Sequence, residues 1–258
     1  MNMKDLSIIP GAVRKKLIGF IRSTCAVKGF TKVVLGISGG LDSSVVASLS
    51  VLALGNNNVL GVIMPYGAHS AKSAQAAKRF AAGLRIKTLT IDIKPMLDAY
   101  FRTDITADNL RRGNKMARER MSILFDLSHK NKALVIGTSN RTEILVGYGT
   151  IYGDCAYALN PISCLYKTQL RCLASYLGIP SFILKKAPSA DLWPGQTDEG
   201  EMGYAYRDID RLLFCMMDKK MNNRQLFLEG FDKDFIHYIR DRVKNNKFKS
   251  QLPIMAKL

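Results

Sequence analysis

Seven consecutive residues, Ser38, Gly39, Gly40, Leu41, Asp42, Ser43 and Ser44, combine the types that chemistry on a phosphate needs. Adjacent glycines let the backbone approach an anion and turn its N–H groups inward. Three hydroxyls add donors, and a helix opening at Asp42 adds the partial positive charge of its N-terminus. Asp42 is the informative member. A carboxylate inside an anion cradle repels phosphate unless it caps the helix or ligates a metal, and magnesium prefers a carboxylate together with phosphate oxygens. The spacing fits neither G-x-x-x-x-G-K-[ST] nor G-x-G-x-x-G, which excludes a Walker-type loop and argues against a Rossmann dinucleotide grip. An ordinary strand-to-helix turn also uses glycine with Asp or Ser as cap. The full seven-residue run, directly after a buried strand, weighs against that reading.

Such a loop must be held at the carboxyl end of a strand. Residues 33–37 form a short apolar run rich in β-branched side chains, the pattern of a parallel strand buried on both faces. Helical periodicity follows over 42–54, then strands over 59–64, 88–93 and 133–136, with helices over 10–28, 70–83 and 106–129. Strands alternating with helices predict an α/β fold, an open parallel sheet flanked by helices on both faces. Beyond Ile136, frequent Gly, Asn and Pro predict loops, followed by helices over 167–177, 204–218 and 232–245. Residues 188–203 read as a further loop, expected to be mobile and to close over substrate, with Trp193 as its packing anchor. No internal repeat or linker divides the chain, so one domain is expected.

Composition narrows the function classes. No apolar run approaches the ~20 residues of a membrane span, and no secretory signal is visible, so a cytoplasmic location is expected. Five cysteines at 25, 155, 164, 172 and 215 include no C-x-x-C pair, and three histidines stand apart from them, which leaves no zinc or iron site. The net charge of +17 would draw in nucleic acid, anionic lipid or small polyphosphates alike. It is spread along the chain without an RNA-binding signature, so it selects no partner.

The run at 38–44 resembles the pyrophosphate loop of the PP-loop superfamily, which includes NAD synthetases, GMP synthetase ATPase domains, asparagine synthetases and tRNA-modifying enzymes. Later segments resemble NAD synthetases in particular: Arg112, Gly113, Asn114, Ala117, Arg118, Arg120 and Met121; then Gly137, Thr138, Ser139, Asn140, Arg141, Thr142 and Glu143; then Gly147, Tyr148, Gly149, Gly153 and Asp154. Asn160, Pro161, Lys167, Thr168 and Gln169 continue the match, as do the segments 186–192 and 195–199. The resemblance implies a Rossmann-like sheet and the amidation of deamido-NAD by ATP and ammonia, through an adenylate, giving NAD, AMP and pyrophosphate. Position by position, it implies that Gly36 and Ile37, with Ser38 through Ser44, hold ATP, joined by Thr138, Lys167 and Ser189. Asp42 and Glu143 would ligate Mg2+. Arg118, Asp154 and Lys249 would hold deamido-NAD, and Asp154 would lie where ammonia is bound and deprotonated. Asp42, Lys167 and Asp154 would carry the catalysis. Taken singly, Glu143, Lys167 and Arg118 would more often be solvated charges, and Thr138, Ser189 and Asp154 turn residues. Only the matched segments reverse this.

Three positions depart from the family pattern. Ile151 stands where some members have a substrate-contacting lysine, Ser163 and Cys164 replace a glycine-acid pair, and Phe248 precedes Lys249 where some have histidine. Glutamine-using members carry a fused amidase, for which no room precedes the first strand near Lys32, so free ammonia is the expected nitrogen source unless a separate subunit supplies it. A homodimer with substrate at the interface is implied, without nucleic-acid or membrane partners. A PP-loop enzyme acting on tRNA would usually bring cysteine pairs or an RNA-binding domain. A non-catalytic nucleic-acid binder leaves Asp42 and Glu143 unexplained.

Overall fold

β1 (Lys32–Gly36), β2 (Val59–Ile63), β3 (Lys87–Thr90) and β4 (Ala133–Val135) lie parallel in the order β3-β2-β1-β4 in the computed structural model, which describes residues 6–251, 253, 255 and 256. Val34 pairs with Leu60 on one side and Val135 on the other, so β1 is central and its carboxyl end opens between two neighbours. Leu159 bridges Ile136 in parallel beyond β4, inside a stretch expected to be loop.

Alternation along β1 and β2 divides the interior. Val33, Leu35, Val59 and Ile63 point to α1 (Pro10–Val27), α2 (Leu41–Leu54) and α3 (Ala71–Gly83). Val34, Leu60 and Val62 point the other way, to α4 (Lys94–Phe101) and α5 (Asn109–Asn131). Both faces are dry, which is why these strands read as unbroken apolar runs. Each fully buried Leu or Ile contributes about 1.5–3 kcal/mol. Gly61 leaves space for Ile37, whose Cδ1 would stand 2.5 Å from any Cβ there. α5 starts three residues later than its periodicity predicts, because Asp108 accepts the Arg111 N–H at 2.7 Å and caps it. β3 stops at Thr90, earlier than expected, and α4 follows on Pro95, a helix the sequence reading did not contain.

A second layer lies beyond β4. α6 (Arg141–Val146) and α7 (Lys167–Tyr176) bracket the site, with α8 (Ser181–Leu184) and α9 (Asp198–Met202) after them. α10 (Tyr206–Leu213), α11 (Asn223–Leu228) and α12 (Lys233–Asn246) share their own apolar core with Val146 and Tyr166. The helix expected over 204–218 is α10 followed by a single π-helical turn, Phe214–Asp218. Among the described residues, no disulfide joins any of the cysteines. Among the described residues, no helix is long and apolar enough to cross a membrane, and no three His, Cys, Asp or Glu side chains form a metal-holding group.

Candidate active site

The glycine-serine turn joins β1 to α2, and its conformation follows from its residues. Gly39 has φ +73°, a left-handed value that glycine adopts without strain. A Cβ there would stand inside 3.0 Å of the Ser73 carbonyl oxygen on α3, a separation real side chains do not show. Ser43 Oγ and Ser38 Oγ lie 3.1 Å apart, and Gly40 N–H donates to Ser38 Oγ at 3.2 Å. Ser44 Oγ turns inward and donates to the Gly40 carbonyl at 2.8 Å. The expected ATP-binding residues therefore divide. Gly36, Ile37, Ser38, Gly40, Leu41, Asp42 and Ser43 line a cavity of about 600 Å³, while Gly39 and Ser44 shape the turn behind them.

Across the cavity mouth, α6 and α7 bring Glu143 and Lys167 to Asp42. The Lys167 ammonium donates to Asp42 Oδ2 at 2.6 Å and to Glu143 Oε1 at 3.3 Å, on a side chain only 6% exposed. At an effective dielectric of about 20, one carboxylate at ~4 Å is worth about 4 kcal/mol. Desolvating an ammonium costs several. One carboxylate would roughly balance that cost, and two carry the lysine past it. Burial accordingly opposes the charge on Lys167, but Asp42 and Glu143 outweigh it and its pKa is raised. Burial pushes the Glu143 carboxyl up; the Lys167 ammonium beside it counters this, while Asp42 and Asp198 add to it. Asn140 links α6 to α2. It caps α6 by accepting the Glu143 N–H at 3.0 Å, and its Nδ2 donates to Asp42 Oδ1 at 2.8 Å. Glu143 completes the capping box through Asn140 N–H, so the local cap and the site share one residue pair.

The remaining predicted residues fall in different places. Thr138 lines the cavity at the end of β4. Asp154 opens on the same cavity, accepts the Thr150 N–H at 2.8 Å, and has its pKa raised by the protein packed around it. Lys249 lines the cavity too, its ammonium held by the carbonyls of Gly147 and Gly149 at 2.8 and 3.1 Å. Ser189 is at the wall, but its hydroxyl donates to the Gln196 carbonyl at 2.7 Å and accepts the Asp191 N–H, closing the 188–197 loop on itself. Trp193 and Leu192 of that loop lean on Gly113 of α5, where a side chain would meet them. Arg118 is exposed outside the cavity wall of this chain, its Nε–H on the Ile151 carbonyl at 3.2 Å. The neighbouring Arg120 lines the cavity instead.

The family model described as NAD synthase matches residues 13–253. The chain belongs to the NAD synthase family. It is 47% identical to an NH(3)-dependent NAD(+) synthetase of Fusobacterium nucleatum, over 100% of this chain and 99% of that one. It is 46% identical to the enzyme of the same name from Trichlorobacter lovleyi, over 99% and 94%. Its fold is similar to an NMN synthetase from Francisella tularensis (TM-score 0.86, 32% identity, 98% of this chain and 100% of that one). It is also similar to an NH3-dependent NAD synthetase from Campylobacter jejuni solved with a nitrate ion (TM-score 0.83, 33% identity, 97% and 100%).

For this member of the NAD synthase family, several site residues carried no functional signal of their own in the sequence. Asn140 signals only a helix cap. Buried Asp198 accepts the Tyr148 and Tyr206 hydroxyls at 3.0 Å each, beside Glu143, a cluster assembled from α9, α10 and the end of α6. Burial raises the pKa of both tyrosines, and the carboxylates beside them add to it, so the phenols remain donors. Lys186 donates to Ser73 Oγ at 2.7 Å, on the same α3 residue that Gly39 packs against, and lines the cavity facing the loop. In the sequence its only signal was its place inside a matched segment.

Proposed function

We propose that this chain condenses deamido-NAD with ammonia at the cost of ATP, giving NAD, AMP and pyrophosphate. The observation that carries the reading is the Lys167 ammonium held between Asp42 and Glu143 beside the phosphate loop, in a chain that the NAD synthase family model matches over residues 13–253. The nicotinate carboxylate oxygen attacks the α-phosphorus and the bond to pyrophosphate breaks, leaving an adenylate. Ammonia then attacks the carbonyl carbon, AMP departs, and the amine sheds a proton. The first step demands positioning and neutralisation of charge more than covalent help. Backbone N–H groups and hydroxyls at Ser38, Gly40 and Ser43 orient the phosphates. Lys167 and Lys186 both line the cavity and would neutralise the departing pyrophosphate.

Asp42 and Glu143 fit a magnesium ion. Each keeps lone pairs beyond its present partners, and magnesium is ordinarily held by one or two carboxylates completed by substrate phosphates and water. When bound, the ion would neutralise charge that develops on the phosphate oxygens. Asp154, at the other side of the cavity with its pKa raised, suits ammonium binding and proton acceptance. Arg118, exposed and outside this cavity, fits a substrate that extends toward a second copy, the homodimer being part of the same reading. The 188–197 loop, tied mainly to itself, is suited to close over substrate.

Incubation with deamido-NAD, ATP, Mg2+ and ammonium tests the proposal. Equal amounts of NAD, AMP and pyrophosphate are expected, and ADP in place of AMP, or no NAD, overturns it. A parallel reaction with nicotinate mononucleotide separates the dinucleotide reading from the activity named for the Francisella neighbour.

A further inference from the structure

Helix α7 presents Lys167 at its first position, yet no side chain of its own N-cap residue Tyr166 takes the free amides there. Those N–H groups are taken from other helices. Lys167 N–H donates to Thr142 Oγ1 at 3.0 Å, on α6, and Thr168 N–H donates to Asp210 Oδ2 at 2.7 Å, on α10. Because the Thr142 oxygen is accepting, its proton goes to Asp210 Oδ1, 2.5 Å away. The Thr168 hydroxyl donates to Asp210 Oδ2 at 2.7 Å. Asp210 is fully buried and receives three donors, an arrangement that suits an ionised carboxylate. Its negative charge also meets the positive end of the α7 dipole.

The extension of α10 grips the other side of Lys167. Asp218, where the π-helical turn after α10 ends, accepts the Tyr166 hydroxyl at 2.6 Å and pairs with Arg141 at 3.0 Å. Residues on either side of Lys167 are thus anchored to α10 and its extension, and Thr142, which precedes Glu143, is tied into the same clasp. None of these groups reaches the cavity.

We propose that Asp210 is a positioning residue for Lys167: through Thr142 and Thr168 it fixes the first turn of α7 against α6, and so sets the ammonium between Asp42 and Glu143. The inference rests on the part given to Lys167 in the proposed function. A lysine side chain has four rotatable bonds and about 2 kcal/mol of rotamer entropy. Anchoring its backbone from three sides removes the helix-level freedom that would add to this.

Thr142→Val keeps the side chain's shape and deletes the hydroxyl linking Lys167 N–H to Asp210, whereas Thr142→Ser retains that hydroxyl. Asp210→Asn replaces one of the carboxylate acceptors with an amide N–H donor, which then faces donors. NAD formation from deamido-NAD, ATP, Mg2+ and ammonium is measured for each, beside wild type and Lys167→Met, with folding followed by circular dichroism and thermal unfolding. Thr142→Val and Asp210→Asn are expected to lower kcat about tenfold or more, toward the Lys167→Met level, while KM for deamido-NAD changes less than about twofold; a 1 Å misplacement costs up to about 100-fold. Thr142→Ser is expected to restore most of kcat. If Asp210→Asn does not fold, the Thr142 pair decides. A folded Thr142→Val as active as wild type overturns the clasp alone, as does a KM that rises in step with the fall in kcat. A wild-type protein that makes no NAD overturns the functional reading and the clasp with it.

Discussion

Replacing Gly39 with alanine should damage the phosphate loop for a reason that the same replacement at Gly178 lacks. The two glycines have nearly the same left-handed φ, +73° and +71°. A Cβ in that region costs about 1–2 kcal/mol at either position. At Gly178 nothing lies within 4 Å of the added methyl, so the backbone term is the whole effect. At Gly39 the methyl meets the Ser73 carbonyl oxygen inside 3.0 Å, Ala77 N at 3.1 Å and Ser73 C at 3.3 Å, all backbone of α3 and none able to rotate away. Overpacking of this kind adds about 1–3 kcal/mol. For a chain this long, each kcal/mol lowers Tm by about 2–4 °C. Gly39→Ala should then melt roughly 5 °C below Gly178→Ala. Relief requires the loop and α3 to part by about 1 Å, and displacement on that scale can cost about 100-fold in rate. Steady-state NAD formation at varied ATP is the assay: kcat/KM for ATP should fall about 100-fold in Gly39→Ala and stay at the wild-type value in Gly178→Ala. Equal melting temperatures for the two variants, or a Gly39→Ala enzyme within about threefold of wild type, would refute the argument.

Asp42→Ala should abolish turnover, by at least about 100-fold, while circular dichroism stays that of the wild type; near-normal turnover would remove Asp42 from the metal site. Lys186→Met should raise KM for ATP about tenfold, the loss of one charge-assisted contact of about 1.5–3 kcal/mol, and leave KM for deamido-NAD alone; equal changes in both would place Lys186 outside the phosphate region. Glutamine supplied in place of ammonium should give no NAD above background, and equal efficiency with the two would overturn the nitrogen source.

Much of the sheet was legible because its central strands, β1 and β2, are buried on both faces. Val33 to Ile37 and Val59 to Met64 are apolar without a break, a pattern that neither loops nor half-exposed strands produce. The phosphate loop was legible for a related reason: adjacent glycines and serines between a buried strand and a helix answer a local demand for tight backbone and free N–H groups. Boundaries were less so. Asp108 moves the start of α5 by capping it, and Pro95 lies in the first turn of α4, in a stretch after the expected strand where no helix was expected. The π-helical turn after α10 has no signature in side-chain periodicity.

The residue types at Asp42, Glu143, Lys167 and Asp154 and their order in matched segments were contained in the sequence alone, as was membership of a family that spends ATP at such a loop. Their working arrangement was not. Asp42 and Lys167 are 125 residues apart, and their 2.6 Å contact exists because α2 and α7 pack on one face of the sheet. Asp210 had no more signal than any acid on an amphipathic helix until folding placed it under the first turn of α7, away from water and among three donors. Periodicity and turn chemistry are properties of neighbours along the chain. The charge state and reach of a buried side chain depend on which distant groups desolvate it and which ones compensate, and only the tertiary structure decides that.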